Sequence, residues 1–167
     1  VAKAYATRVG NGPFPTELED AVGERLREVG REYGATTGRP RRCGWFDAVA
    51  VRYTNMINGV TSLALTKLDV LCGLDEVKLC TRYERLSDGR TLEHFTTDLR
   101  QLANIRPIYE SFEGWSAESM KGVTRREDLP AQAQKYLSAL EREVQQPLEL
   151  ISIGAGRDET LGAVGSV

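Results

Sequence analysis

Two patterns of hydrophobic and polar positions alternate along the chain and predict an alternation of helices and strands. Apolar residues recur at every third or fourth position over residues 16–30 and 45–57 and from Pro130 onward, which is the spacing of a buried helical face. The predicted inward residues are Leu18, Val22, Leu26 and Val29, then Phe46, Ala50, Tyr53 and Ile57, and finally Ala133, Leu137, Leu140 and Val144. A short fourth helix is expected near residues 99–104.

The residue types at the helix ends support these bounds. The sequence Thr16-Glu17-Leu18-Glu19 has the form of a capping box, so we expect the first helix to begin there. Gly30 should end that helix, and the pair Asn58-Gly59 should end the second one, because glycine tolerates the left-handed conformation that follows many helices.

Shorter apolar or alternating runs predict strands. These cover residues 1–9, 61–65, 108–112 and 148–153, and the nearly continuous apolar run at 61–65 is typical of a buried strand in a parallel sheet. Residues 76–84 alternate apolar and polar positions, and Ser87-Asp88-Gly89-Arg90 should turn them back into residues 91–95 as a hairpin. Glycines and prolines predict an irregular loop at residues 10–15.

The order of these elements indicates an α/β fold. Strands that alternate with helices predict a largely parallel central sheet with helices on both faces, and the hairpin is an excursion from it. A length of 167 residues with 41% hydrophobic content allows one ordinary domain or a piece of a larger one. No initiator methionine stands before Val1, so we expect this chain to be cut from something longer.

Charge and residue content exclude several classes of function. With 22 basic and 24 acidic side chains the net charge is −2, so no overall field favours nucleic acid or an anionic membrane. No segment approaches the roughly 20 apolar residues of a membrane span. Three separated cysteines (Cys43, Cys72 and Cys80) and one histidine (His94) argue against a zinc site, a disulfide framework and a serine-type triad. We therefore expect a protein of the reducing cytoplasm.

The segment from Ala35 to Trp45 carries the clearest candidate chemistry. It places three arginines and two threonines in a glycine-bounded loop. Guanidinium groups bind carboxylate and phosphate oxygens through two parallel hydrogen bonds, and threonine hydroxyls add donors. A run of arginines is commonly a solvated surface patch, but Trp45 and Phe46 follow at once and should anchor this loop to a core. An anchored basic loop predicts a site for a small anionic ligand.

Two polar signals stand at the ends of predicted strands, where ligands of parallel sheets bind. They are Thr66-Lys67-Leu68-Asp69 and Ser152-Ile153-Gly154. A fixed aspartate carboxylate can accept hydrogen bonds from N1-H and the 2-amino group of guanine, while a lysine stem covers the base. Adenine lacks this pair of donors, so the pattern favours a guanine nucleotide; the alternative is an ordinary surface turn.

A base-reading pattern without a phosphate loop is half of a nucleotide site. No G-x-x-x-x-G-K-[ST] sequence occurs, and the glycine pairs Gly10/Gly12 and Gly154/Gly156 lack the rest of a phosphate-binding fingerprint. Either a nucleoside triphosphate is not the ligand, or a segment that precedes Val1 supplies the phosphate half.

Taken in order, the motifs resemble those of the adenylosuccinate synthetase family. The resemblance rests on Val9-Gly10-x-Gly12-Pro13-Phe14-Pro15-Thr16-Glu17, on residues 34–45 and on Leu65-Thr66-Lys67-Leu68-Asp69-Val70-Leu71. It extends over nearly the whole chain through Glu76-Val77-Lys78-Leu79, Ile108-Tyr109-Glu110, Gly114-Trp115 and Asp128-Leu129-Pro130. Two departures are the segment from Ser152 to Arg157, which lacks the S-x-G-P form of many bacterial members, and the residues beyond about Leu161.

The resemblance implies a GTP-dependent ligase that joins L-aspartate to IMP on the route to AMP, with Mg²⁺ and as a cytoplasmic homodimer. In the family, GTP phosphorylates the inosine O6 and the aspartate amine then displaces that phosphate. The loop that closes on aspartate corresponds to Ala35, Thr36, Thr37, Gly38, Arg39, Pro40 and Arg41. The IMP contacts correspond to Val9 and Arg39, and the GTP contacts to Arg41, Lys67, Leu68, Asp69, Ser152, Ile153 and Gly154.

The family's phosphate loop, general base, general acid and most Mg²⁺ contacts have no counterpart in this sequence. The resemblance thus implies that residues 1–167 are the carboxyl-terminal portion of a single larger domain. The resemblance therefore implies no catalytic residue and no metal ligand here, and the chain alone is expected to be inactive. Two alternatives stay open. One is a non-catalytic module that binds guanine nucleotide or a dicarboxylate without turnover, and the other is a regulatory GTPase, which shares only the T-K-x-D pattern.

Overall fold

The computed structural model describes residues 1–156 and 158–162; Arg157 and residues 163–167, which include most of the predicted atypical ending, lie outside this part. Its strands are β1 (Ala2–Lys3), β2 (Ala6–Arg8), β3 (Arg42–Gly44), β4 (Phe46–Asp47), β5 (Leu63–Thr66), β6 (Glu76–Arg85), β7 (Thr91–Leu92), β8 (Ile105–Glu113), β9 (Leu148–Ser152) and β10 (Thr160–Gly162). Its helices are α1 (Ala21–Val29), α2 (Ala48–Asn58), α3 (Leu99–Leu102) and α4 (Ala131–Val144). Short 3₁₀ turns cover Leu68–Leu71, Glu118–Met120 and Arg126–Asp128.

The strands of the described part are divided among three small sheets. The first has the order β1-β5-β9-β10, in which β1, β5 and β9 run parallel and β10 is antiparallel. The second pairs β2 with β3, antiparallel. In the third, β6 pairs in parallel with β4 and antiparallel with β7 and β8. The predicted α/β class, the mostly parallel sheet and the hairpin of β6 and β7 are confirmed, whereas β10 was not predicted.

The predicted first strand is two strands in two sheets. Lys3 in β1 pairs with Thr66, whereas Ala6 in β2 pairs with Gly44, so the chain changes sheets between them. Tyr5 lies at this change of direction and is buried. Both halves have strand-like sequences, and only their different partners separate them.

The first helix begins later than the capping-box pattern predicts. Asp20 is the cap: its carboxylate accepts hydrogen bonds from the backbone N–H groups of Val22 and Gly23, each at 3.0 Å. Thr16 is fully buried and Glu17 forms an ion pair with Arg42, so tertiary contacts use the residues of the predicted box. The helix ends before Gly30, as predicted, but Gly30 is right-handed (φ −74°), and the left-handed residue is Arg31 (φ 51°).

The second helix is also shorter than predicted, because Phe46 and Asp47 form β4. The Asp47 carboxylate caps the helix by accepting from the backbone N–H of Ala50 at 3.0 Å. Ile57, which the periodicity placed inward, is 60% exposed. Gly59 ends the helix in the left-handed conformation, as predicted.

The main core joins the parallel sheet to the helices. The predicted inward face of α4 is fully buried, and Tyr136 on this helix donates a hydrogen bond to the backbone oxygen of Ala4 at 3.1 Å. Leu65 of β5 and Ile151 of β9 belong to the same cluster. No helix among the described residues has the length and apolar content needed to cross a membrane. The packing against the helices thus holds the parallel strands in place, and the carboxyl ends of these strands form a surface.

Candidate functional site

The parallel pairing of β5 and β9 brings together the two strand-end segments that the sequence singled out. Leu65 pairs with Ile151, so Lys67 and Ser152 follow at neighbouring strand ends. Lys67 has the left-handed conformation (φ 63°, ψ 35°), which turns the chain sharply into the Leu68–Leu71 3₁₀ turn. Lys67–Asp69 and Ser152–Gly154 therefore form one surface, which we call the strand-end surface.

Burial decides which groups of this surface can meet a ligand. Leu68, backbone included, is fully buried, so no atom of this predicted GTP contact is open to a ligand, and Ile153 is 9% exposed. Lys67 and Asp69 are half-buried. Partial burial raises the pKa of Asp69 above its ordinary value, and the nearby charge of Glu159 raises it further. The ionised Asp69 carboxylate would therefore gain from a ligand that donates hydrogen bonds to it.

Glu159 shapes the turn after β9, although no signal in the sequence marks it. Its carboxylate accepts from the backbone N–H of Gly156 at 2.6 Å, and its backbone oxygen accepts from Ile153 at 2.8 Å. A Cβ atom at Gly154 would lie 2.3 Å from Cδ of Glu159, so a larger residue at position 154 would displace this side chain. The turn is further closed by Ser152, whose hydroxyl donates to the Gly154 oxygen at 2.8 Å.

The predicted anion-binding segment is an exposed loop on a fixed base. Ala35 to Pro40 are all exposed, whereas Trp45 and Phe46 are 5% and 2% exposed, so the predicted anchoring is confirmed. The base is closed by three backbone hydrogen bonds of 2.8 Å, namely Gly34 N–H to Arg39 O, Gly38 N–H to Gly34 O and Arg41 N–H to Glu32 O. The tip is thus free to contact solutes while its ends are held. We call this segment the arginine loop (residues 34–41).

The three arginines between Ala35 and Trp45 have three different environments. Arg42 is structural: it forms hydrogen bonds to both carboxylate oxygens of Glu17 and donates to the oxygens of Gly10 and Gly12 at 3.1 and 2.9 Å. Arg39 is exposed and takes part in none of the ion pairs found among the described residues. Arg41 is intermediate, since Nη1 donates to Glu32 at 2.8 Å and its side chain is 33% exposed. Arg39 and Arg41 are therefore the arginines available to an anion.

Glu32 is the main residue of this region that the sequence did not identify. It is fully buried, and its carboxylate accepts from Lys3 at 2.8 and 2.9 Å, Tyr5 at 2.6 Å, Arg41 at 2.8 Å and Lys67 at 3.1 Å. Burial alone would raise the pKa of Glu32, but these hydrogen bonds outweigh it and hold the pKa at about 2. One carboxylate thus joins the arginine loop to the strand-end surface.

The remaining predicted residue, Val9, lies on the same side of the molecule as the arginine loop. Antiparallel pairing matches Arg8 with Arg42, so Val9 continues β2 in the direction of Arg41. Its side chain is 78% exposed and free to contact a solute. The pairing of β2 with β3 therefore places Val9, the predicted IMP contact, next to Arg41 of the predicted aspartate loop.

Two further features do not coincide with these segments. A cavity of about 400 Å³ lies between α2, the end of α4 and residues 93–95, and its lining includes Tyr53, Met56 and His94 but none of the predicted site residues. Within residues 1–156 and 158–162, no group of three histidine, cysteine, aspartate or glutamate side chains is arranged to hold a metal ion.

Comparison with known proteins gives one consistent result. Residues 1–161 match the model of the family described as adenylosuccinate synthetase. Adenylosuccinate synthetases from Desulfatibacillum aliphaticivorans and Acidothermus cellulolyticus are 53% and 52% identical over 161 residues, which is 96% of this chain and 37% of each relative. The structure of fully ligated adenylosuccinate synthetase from Plasmodium falciparum superposes with a TM-score of 0.91 at 41% identity, covering 97% of this chain and 38% of that one.

The chain therefore spans a little over a third of the length of the curated relatives that it matches. Both the sequence match and the structural match extend over almost all of its residues. The motifs, the fold and the comparisons lead to the same conclusion: this chain belongs to the adenylosuccinate synthetase family of ligases.

Proposed function

We propose that this chain supplies the guanine-binding and aspartate-binding part of a GTP-dependent ligase that joins L-aspartate to IMP. The observation that supports this most directly is the Glu32 carboxylate, which holds Arg41 at 2.8 Å and Lys67 at 3.1 Å. Because of it, two segments that the sequence marked separately for an anion and for guanine form one continuous surface. Such a surface suits a reaction that uses a guanine nucleotide and a dicarboxylate together.

Each group has a role that follows from its chemistry. The half-buried Asp69 carboxylate accepts from N1-H and the 2-amino group of guanine, and the Lys67 stem lies along the base. At the exposed loop tip, the Arg39 guanidinium and the threonine hydroxyls bind the carboxylates of aspartate, since a planar guanidinium matches a carboxylate with two hydrogen bonds. Arg39 and Val9 also contact IMP, and Arg41, at the end of the loop, contacts both aspartate and GTP.

The other backbone and side-chain groups hold these contacts in place. The fully buried Leu68 supports Lys67 and Asp69 on either side of it, and Ser152, Ile153 and Gly154 complete the guanine subsite. Mg²⁺, the groups that transfer protons and the phosphate loop are supplied by other parts of the enzyme. The same family likeness supports a homodimer that works in the cytoplasm on small molecules, without nucleic acid or membrane.

The test uses a completed enzyme, in which this chain is fused behind the amino-terminal portion of the Desulfatibacillum aliphaticivorans relative. We expect the completed enzyme to release GDP and phosphate only when IMP, L-aspartate and GTP are all present. The chain alone should release none, because its sequence contains no phosphate loop. The intact relative serves as the positive control.

ATP in place of GTP serves as the second control and should support little turnover. Turnover by the chain alone would contradict the assignment of catalytic groups to other parts of the enzyme. Binding of GTP by the completed enzyme without consumption of IMP and aspartate would instead support a non-catalytic module.

A further inference from the structure

We propose that Glu32 is a positioning residue that couples the aspartate and guanine subsites through its single carboxylate. The inference rests on the proposed function for the identity of its ligands. Glu32 itself would touch no substrate; it would act through Arg41 of the arginine loop and Lys67 of the strand-end surface. Occupancy of one subsite should therefore change the affinity of the other.

The two oxygens of the Glu32 carboxylate accept hydrogen bonds from different sets of donors. Oε1 accepts from Lys3, Tyr5 and Lys67 at 2.8, 2.6 and 3.1 Å, while Oε2 accepts from Lys3 at 2.9 Å and from Arg41 at 2.8 Å. Lys3 bridges both oxygens and fixes the plane of the group. A shift of Arg41 toward a ligand must therefore pull on the same rigid carboxylate that holds Lys67.

The carboxylate is buried and its three cationic partners are partly exposed, as this coupling requires. The Glu32 side chain is 0% exposed, whereas those of Lys3, Arg41 and Lys67 are 29%, 33% and 36% exposed. Each cation is thus held at its inner side and remains open to solvent at its outer side. Three cations surround one carboxylate, so the cluster keeps an excess of two positive charges next to a surface proposed for anionic ligands.

The backbone of Glu32 adds a second connection to the loop. Its carbonyl oxygen accepts from the Arg41 N–H at 2.8 Å, which closes the base of the arginine loop. Lys67 also donates to the carbonyl oxygen of Gly30, two residues before Glu32. The short connection between α1 and the loop therefore holds both subsites by backbone and side-chain groups together.

The experiment compares Glu32→Gln and Glu32→Asp with Glu17→Gln in the completed enzyme. Glu17 is the matched control, because it pairs with Arg42, the next residue after Arg41, and takes no part in the Glu32 cluster. Steady-state kinetics should show that Glu32→Gln raises KM for aspartate and KM for GTP together, each by about tenfold or more. The reason is that misplacing a binding group by about 1 Å can reduce the reaction rate on the order of 100-fold. Glu32→Asp should recover part of this loss, and Glu17→Gln should leave both KM values unchanged.

A double-mutant cycle separates positioning from simple stability. Arg41→Ala and Lys67→Ala should be non-additive in their effects on KM when residue 32 is glutamate and additive when it is glutamine. If Glu32→Gln does not fold, the cycle with glutamate decides, and additive effects overturn the proposal. Unchanged KM values in a folded, less stable Glu32→Gln enzyme also overturn it. A completed enzyme that does not turn over before any substitution contradicts the proposed function and this inference with it.

Discussion

Replacing Glu32 by glutamine should destabilise the chain strongly at neutral pH. The structure holds the pKa of this carboxyl at about 2, against an ordinary value of 4.5. Since one pKa unit corresponds to about 1.36 kcal/mol, the ionised carboxylate contributes on the order of 3 kcal/mol to the free energy of unfolding. Breaking a buried ion pair by removing one partner typically costs about 3 to 5 kcal/mol, which agrees with this magnitude.

The dependence on pH follows from the direction of the shift. The pKa of Glu32 is lower in the folded state than in the unfolded state, so the unfolded state binds the proton more readily. The contribution of Glu32 is therefore fully present above about pH 4.5 and is lost as the pH falls toward about 2. Glu32→Gln removes the ionisable group, so the variant should lack this part of the acid destabilisation.

Urea denaturation of the 167-residue chain between pH 7 and pH 2.5, followed by circular dichroism, measures both quantities. The difference in the free energy of unfolding between the chain and Glu32→Gln should be about 3 kcal/mol at pH 7 and should shrink below about pH 4.5. Glu28→Gln is the control, because Glu28 is exposed on α1, and its effect should stay within about 0.5 kcal/mol. A difference that stays constant down to pH 2.5 would refute the role assigned to the ionised carboxylate.

Two further predictions concern the proposed ligands in the completed enzyme. Asp69→Asn should weaken the binding of GTP by about 30-fold or more and favour xanthosine triphosphate, whose O2 accepts a hydrogen bond from the new amide. An unchanged dependence of the rate on GTP in steady-state kinetics would show that Asp69 only forms part of a surface turn. Arg39→Leu and Arg41→Leu should raise KM for aspartate or sharply reduce turnover, with Arg39→Leu affecting IMP as well. Arg42→Leu should mainly lower the melting temperature, and loss of aspartate binding in that variant alone would overturn the assignment.

The local sequence determined most of the secondary structure. The buried face of α4 could be predicted because Ala133, Leu137 and Leu140 recur at the spacing of a helix, and all of them are buried. The strand at Leu63–Thr66 could be predicted because a short apolar run is typical of a buried strand in a chain that alternates helices and strands. These features depend on residues near one another in the chain, which is why periodicity alone could find them.

The errors arose where distant residues compete with a local signal. Thr16 and Glu17 had the form of a capping box, but Glu17 pairs with Arg42, 25 residues later, and Asp20 caps α1 instead. The strand predicted over residues 1–9 divides because its two halves pair with β5 and β3. A local pattern cannot show which of several partners a strand or a carboxylate will meet.

The candidate site divides in the same way. The sequence by itself determined the chemistry of the segments: arginines and threonines before Trp45, the T-K-x-D pattern at Lys67 to Asp69, and the order of motifs that identified the family. Only the tertiary structure decided which arginines are free and which carboxylate joins the segments. Glu32 and Glu159 are ordinary glutamates in the sequence. Glu32 acquires its role because folding removes it from bulk water beside specific donors, where an unpaired charge would be too costly to keep. Glu159 stays exposed and acquires its role because the turn after β9 brings the backbone N–H of Gly156 to its carboxylate.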